Sequence, residues 1–379
     1  MNTKDKTSWL KEFLSANMVK YIVFAVIFVA LTVSVFFTSY IDSVLIKHLE
    51  DKSIIVKGNQ MLIHILSVGE ADACVIELPN REVCVIDTGT IYSSYEMVSY
   101  INSNVINHNK NKQIDYLFYT HADDDHSGGV EALLHNFDVK NIIRPRQYAN
   151  FETIVDKYGE VVDTENYTRT MTAVYNETGA KLIKAEDGLT FEIGEAKFEI
   201  FYLLKKYKDS NNYSYYIKLT YKNKSMLFTG DALVESEEDL IKIHKDDLDC
   251  DILKVGHHGG DNSNSLDFLK AVSPNYSIIS VGSNRLGHPH ETVLDNLSSI
   301  GSEIYRTDKY GNILIGIGDD ITFYFNNYSS TPLNLSFKYI ALIIYFAMFI
   351  VIIIDLIRFI VRKYKYITKQ KMQITNIKL

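Results

Sequence analysis

The stretch "THADDDHSGG", Thr120 to Gly129, sets two histidines and three aspartates into six consecutive positions. Carboxylates this close repel one another unless something positive lies between them. The segment before it, "IDYLFYT" (114–120), reads as a buried strand that ends exposed at His121. The chain then turns, so His121, Asp123, Asp125 and His126 can converge from one loop on a small volume. Gly128 and Gly129 permit close backbone approach before the next helix begins. Imidazole nitrogen with carboxylate oxygen is the donor set of hydrolytic metal sites. Four donors from one loop suit a pair of divalent ions that share one water molecule.

Outward from this loop, short apolar runs alternate with amphipathic stretches. "MLIHILSV" (61–68), "ACVIELP" (73–79) and "EVCVIDTG" (82–89) read as strands, the last two as a hairpin across Asn80-Arg81. Helices are expected at 94–105, 130–137 and 166–179, with a strand at 140–145. Paired strands follow around Gly194 and around Asn223-Lys224. Helix 236–245, strand 250–256, helix 265–272, strand 275–282 and helix 291–300 come next, before closing strands. Strand-rich halves with interspersed helices predict an α/β fold, an αββα sandwich of two sheets over 61–326.

The aspartate-rich loop is similar to the H-x-[HD]-x-D-H signature of the metallo-β-lactamase fold. Its aspartate at the third position resembles the hydrolase domain of ComEC-type competence proteins. Further segments carry the likeness in the expected order. "SVGEADACVIELP" and "VCVIDTG" (67–89) resemble the family's "DVGQGDA" hairpin and Asp-Gly turn. "NNYSYYIKLTYKNKSMLFTGD" (211–231) resembles the strand into its Gly-Asp turn. "DILKVGHHGGDNSNS" (251–265) resembles "LKVPHHGS", "GHPH" (287–290) its namesake loop, and "YRTDKYGNI" (305–313) the closing turn.

The resemblance implies roles. His121 and Asp123 would hold one metal, and Asp125 and His126 the other. Asp231 would bridge both, and His257 would complete the second site, with His258 its close competitor. Asp87 is expected beneath the site, ordering the His121–His126 loop. Where most of the superfamily supplies a further histidine, this chain has Asn212 and Ser214. Such an oxygen-rich set leaves zinc and manganese both open for the two divalent ions. His288 is expected to assist the leaving group, beside Asp231 and Asp125 as catalytic residues, while His290 is the structural partner of that loop.

Hydropathy adds a second theme. Tyr21 to Phe37 and Tyr339 to Ile354 are apolar runs of membrane-spanning length. No small-x-small cleavage pattern follows the first, so an uncleaved anchor is expected. Asp355 and Arg358, three apart, could pair at the end of the second. Lysines and arginines flank both outer ends, which places both in the cytoplasm. The expected organisation is a cytoplasmic segment 1–20, a transmembrane helix 21–40, a stalk 41–60, the hydrolase domain 61–326, a second transmembrane helix 338–361 and a basic tail 362–379. The protein would then be a two-pass plasma-membrane protein with its hydrolase domain outside.

Between the spans, 27 basic residues face 44 acidic ones, a net charge of −17. That surface attracts cations and offers no basic stripe to a nucleic acid. The one local basic cluster, "LLKKYK" (203–208), reads as a solvated turn. The three cysteines form no C-x-x-C pair, which excludes zinc-finger and redox readings. The expected chemistry is metal-dependent hydrolysis, foremost of a phosphodiester in DNA or a cell-envelope polymer. The alternatives are a lactone or amide hydrolase and a non-catalytic metal-binding surface receptor. The membrane bilayer is an expected partner, a dinucleotide is not, and protein partners are open.

Overall fold

The computed structural model describes residues 20–33, 60–106, 112–145, 165–203, 205–325, 343–362 and 364–365. The chain divides into two compact units, Met1–Ile54 with Ser330–Leu379, and Ile55–Ser329. Segment 1–19, stalk residues 41–59 and tail residues 366–379 lie outside the described residues.

The larger unit holds two sheets. β1 (Met61–Ile65), β2 (Ala73–Glu77), β3 (Val83–Thr88), β4 (Gln113–Phe118), β5 (Asp138–Arg144) and β6 (Lys181–Lys184) share the first with β14 (Ile313–Ile317) and β15 (Ile321–Phe325), in the order β15-β14-β1-β2-β3-β4-β5-β6. The second runs β13-β12-β11-β10-β9-β8-β7. Its members are β7 (Thr190–Ile193), β8 (Ala196–Phe201), β9 (Tyr216–Tyr221), β10 (Lys224–Phe228), β11 (Ile252–Lys254), β12 (Tyr276–Ile279) and β13 (Glu303–Arg306).

Strand alternation explains why the sheets stack. In β3, Cys84 and Ile86 enter a central core, while Val83 and Val85 enter an outer one. In β10, Met226 and Phe228 face the same central core, and Leu227 faces the opposite way. Both sheets are therefore buried on two faces, which is why their strands read as unbroken apolar runs. Met97, Ile101, Leu133 and Val174 from helices cover the first sheet. Leu240, Phe268, Leu269, Val293 and Leu297 cover the second. The expected αββα layering follows from these three cores. Truncating a side chain such as Ile86 to alanine costs about 2–5 kcal/mol in a core of this kind.

Both sheets mix strand directions. β3, β4, β5 and β6 run parallel, as do β10, β11, β12 and β13, and the other pairings are antiparallel. Parallel strands bring their carboxyl ends to one edge, and loops leaving that edge are where open α/β sheets gather ligands. The helix expected at 94–105 covers Ser94–Tyr100 and continues as a wider turn through Ile101–Val105. Cys74, Cys84 and Cys250 are buried and free.

In the smaller unit, helix Ile343–Arg362 has 20 residues and a mean hydropathy of 2.6, long and apolar enough to cross a bilayer. Lys20–Val33 is a shorter apolar helix, and residues 34–40 of the expected first transmembrane helix lie outside the described ones, as do 338–342 of the second. The two helices touch in antiparallel sense. Lys20 forms an ion pair with Asp355, and Thr32 Oγ1 lies 2.9 Å from Tyr345 Oη. The partner of Asp355 is thus Lys20 on the other helix, where the spacing had suggested Arg358.

Candidate metal centre

Five strand ends build the site. Asp87 closes β3, the His121–His126 loop follows β4, Asp231 follows β10, His258 follows β11 and His288 follows β12. Asp87 sits in the left-handed region, φ 56°, and is buried. Its carboxylate accepts three hydrogen bonds: from Thr120 N (2.7 Å), Thr120 Oγ1 (2.9 Å) and His126 Nδ1 (2.8 Å). It thereby fixes the start of the aspartate-rich loop and aims the other nitrogen of His126 away from itself. The loop winds into a short helix, Asp124–Ser127. It packs so tightly that a Cβ on Gly129 would stand 2.4 Å from the Thr88 carbonyl oxygen.

The structure brings Asp125, His126, Asp231 and His258 together, with one potential ligand atom from each lying within 4.8 Å of all the others. His126 Nε2 is 2.9 Å from Asp231 Oδ1, and His258 Nε2 is 3.3 Å from Asp125 Oδ2 and 3.8 Å from Asp231 Oδ2. His126 Nε2 and Asp231 Oδ1 are buried yet lack hydrogen-bond geometry to any described group, and so does His121 Nε2. Buried polar atoms are normally satisfied. Ligands bound at about 2.1 Å and roughly a right angle to each other sit about 3 Å apart, so these spacings fit a cation.

His121 is fully buried, its ring centroid 4.3 Å from that of His126. Asp123 lies 3.9 Å from His121 Nε2 and is partly exposed. These two stand beside the four-residue cluster as a looser pair. His257 and His258 both have left-handed backbones, φ 50° and 52°, and their rings point to different partners. His258 Nδ1 meets the Ser280 carbonyl at 3.0 Å, which leaves Nε2 for the cluster. His257 is occupied by Asn262 Oδ1 (2.7 Å) and Asn211 Nδ2 (3.3 Å). Of the two alternatives for the last ligand, the geometry favours His258.

Asn212 and Ser214 serve the backbone. Asn212 Oδ1 accepts from Leu233 N at 3.0 Å, and Ser214 Oγ accepts from Asp231 N at 3.1 Å, so both shape the turn that presents Asp231. Gly230 in that turn has φ 52°, and a Cβ there would lie 2.7 Å from Thr120 Oγ1. His288 Nδ1 lies 2.8 Å from Glu70 Oε1, and its ring stands 5.4 Å from that of His257. His290 stands at the N-cap position of the helix Glu291–Ser299 without a side-chain cap hydrogen bond, and its backbone N–H donates to Gly259 O at 2.8 Å.

The charges respond to one another. Burial opposes a charge on His126, but the Asp231 and Asp87 carboxylates outweigh it and hold the imidazole well above its usual value. His258 is raised in the same way, against its burial, by Asp231 and Asp125. Asp231 is held well below the carboxylate range, against its burial, by His126 and His258. The pocket therefore favours positive charge.

Several supporting residues escape a reading of the sequence. Asp72 and Lys254 form a buried ion pair at 2.7 Å under the site. The buried Glu237 accepts from Asn264 N and Ser265 N, and Asn264 in turn brackets Gly256 through Oδ1 and Nδ2. The available signal was a charge within an apolar strand: the lysine of "DILKVG" and the aspartate of "EADACVIE".

A model of the metallo-beta-lactamase superfamily matches residues 67–283, from the first hairpin to the strand before the His288 loop. The chain belongs to that superfamily. Within it, the chain is 27% identical to ComE operon protein 3 of Bacillus subtilis (strain 168) over 272 residues, 66% of this chain and 32% of that protein. It is also 27% identical to Competence protein ComA of Neisseria gonorrhoeae over 269 residues, 69% of this chain and 33% of that one. The chain thus spans about a third of the length of these relatives. Among solved structures, the metallo-beta-lactamase fold protein YhfI from Bacillus subtilis aligns with a TM-score of 0.45 at 10% identity, covering 68% of this chain and 100% of that one.

Proposed function

We propose that this chain is a membrane-anchored hydrolase that uses two divalent cations, zinc or manganese, to cleave a phosphodiester. The observation that carries the reading is the convergence of Asp125, His126, Asp231 and His258, with buried atoms of His126 and Asp231 left without hydrogen bonds. A first cation fits these four. A second would rest on His121, Asp123 and Asp231, a set with one nitrogen donor. Cations held there would supply Lewis acidity, making water nucleophilic near neutral pH and offsetting charge that develops on the attacked group.

The chain's own residues do the rest. Asp87 keeps His126 in the tautomer that offers Nε2, and the Ser280 carbonyl does the same for His258. Asp231 faces the ligands of both proposed cations. His288, whose Nδ1 lies 2.8 Å from Glu70 Oε1, would deliver a proton to the departing oxygen. A phosphodiester is favoured over an amide because the donor set is oxygen-rich and one relative is named Competence protein ComA. Lys205, in the one basic cluster, is engaged by Asp239 at 2.7 Å. DNA and an anionic envelope polymer both remain in view as substrate.

Anchoring draws support from the smaller unit. Ile22, Val26, Phe28, Phe346 and Phe349 stand exposed on its two helices, apolar surface that a bilayer would cover. With the basic flanks, this favours two crossings and an outward-facing hydrolase unit.

The test is hydrolysis by the purified full chain in detergent, with zinc or manganese, of bis-p-nitrophenyl phosphate and of nitrocefin. Turnover of the phosphodiester alone is expected. Turnover of nitrocefin alone would favour the amide reading. Bound metal with no turnover of any substrate would favour a receptor. For topology, protease added to intact cells should cut within 41–336 and spare the ends.

A further inference from the structure

Lys254 is the last residue of β11, four positions before His258, and its side chain is buried between the sheets. Its ammonium donates to Asp72 Oδ2 at 2.7 Å and to the Val255 carbonyl at 3.1 Å. Asp72 immediately precedes β2 of the opposite sheet and is equally buried. Burying two charges is expensive, and a well-packed apolar pair in the same place is often neutral or stabilising. Stability alone is thus a poor reason for the pair.

The other contacts of Asp72 supply a better one. Its N–H donates to the Asp125 carbonyl at 3.0 Å, and its carbonyl accepts from Gly89 N at 2.7 Å, two residues past Asp87. Its second carboxylate oxygen, Oδ1, is buried without a hydrogen bond and lies 3.6 Å from His258 Nδ1. Asp72 therefore touches the backbone of the loop that carries Asp125 and the ring of His258. Lys254 holds it against the strand that carries His258. Asp125 and His258 come from different sheets, and their ligand atoms stand 3.3 Å apart.

We propose that the Asp72–Lys254 pair is a positioning strap that ties the two sheets together beneath the site and sets the separation of Asp125 and His258, and with it the affinity and geometry of the cation they would share. In this proposal both residues act through Asp125 and His258, the two donors they bring together. Asp72 and Asp87 lie close together, a carboxylate oxygen of each and a His126 nitrogen falling within 4.8 Å of one another, but the hydrogen bonds of the Asp87 carboxylate go to Thr120 and His126 of the aspartate-rich loop, whereas Asp72 reaches Lys254 in the second sheet.

The inference rests on the cation-binding reading of the cluster, and the test separates the two. Lys254→Met alone would strand a buried carboxylate and risks an unfolded chain, so the informative variant is Asp72→Asn with Lys254→Met, which removes both charges at nearly constant volume. The full-length chain and this double variant, each in detergent, are titrated with cobalt(II). The visible ligand-field spectrum and the dissociation constant are read, and thermal melting of the cation-free proteins is recorded alongside. The expected result is a folded double variant whose cobalt affinity is about 10–100-fold weaker, with a shifted spectrum. Unchanged affinity and spectrum, with only the melting temperature moved, would reduce the pair to a staple and overturn the proposal. A wild-type chain that takes up no cobalt would overturn the cation reading as well.

Discussion

His126 Nε2 lies 2.9 Å from Asp231 Oδ1, and the two residues come from different sheets. The contact lacks the angle of a hydrogen bond, and both atoms are buried.

Asp231→Asn should leave the fold intact, because Asp231 is held through its backbone N–H by Ser214. The variant removes the anion that faces His126 and His258. Cation affinity should fall by about 100-fold and hydrolysis should vanish. Calorimetric titration with zinc, paired with circular dichroism, checks both. A well-folded variant with wild-type affinity would take Asp231 out of the site.

The neighbouring histidines separate by substitution. His258→Ala should weaken cation binding by at least about 10-fold. His257→Ala should change it little, since that ring is engaged by Asn262 and Asn211. The reverse outcome in metal analysis of the two dialysed variants would restore His257 as the ligand.

Cation binding should strengthen as pH rises. In the cation-free protein His126 and His258 are held above the usual imidazole value, so a cation must displace protons from them. Their contribution to stability is full below the unfolded value of about 6.5 and is lost as pH rises through their folded values. Asp231, depressed, contributes above about pH 4, and this is lost as pH falls through its folded value. Chelator-treated protein should therefore melt earlier as pH climbs above neutrality, whereas zinc-loaded protein should resist the change. Scanning calorimetry with and without chelator reads the difference.

Glu237→Gln should destabilise by about 1–2 kcal/mol, since an amide NH2 would confront a backbone N–H of Asn264 or Ser265. Burial pushes the Glu237 carboxyl up to about 7, although those N–H groups oppose the shift. Relative to its unfolded form it therefore loses stability as pH rises from about 4.5 through 7, and the glutamine variant should lack this slope. Urea denaturation at pH 5 and pH 8 tests the prediction.

Much of the fold was legible because strands buried on both faces read as apolar runs; "EVCVIDTG" became β3 with its aspartate at the strand's end. β6 was not, because "KLIK" is a half-exposed edge strand whose lysines hide two apolar residues. Asp87, His126 and Asp231 were legible as types at turns. The choice between His257 and His258 was not. Adjacent residues differ in sequence only by position, and their left-handed backbones with the bracket of Asn264 on Gly256 decide which ring turns inward. Lys254 was hidden for a similar reason: its partner Asp72 is far away in sequence and meets it only when the sheets stack.

The donors of the cluster are split between the two halves of the chain, and this has a temporal consequence. A ribosome releases the aspartate-rich loop long before Asp231 and His258 emerge. Until the second half has been made and has docked on the first, the nascent polypeptide holds only Asp125 and His126 of the four clustered donors.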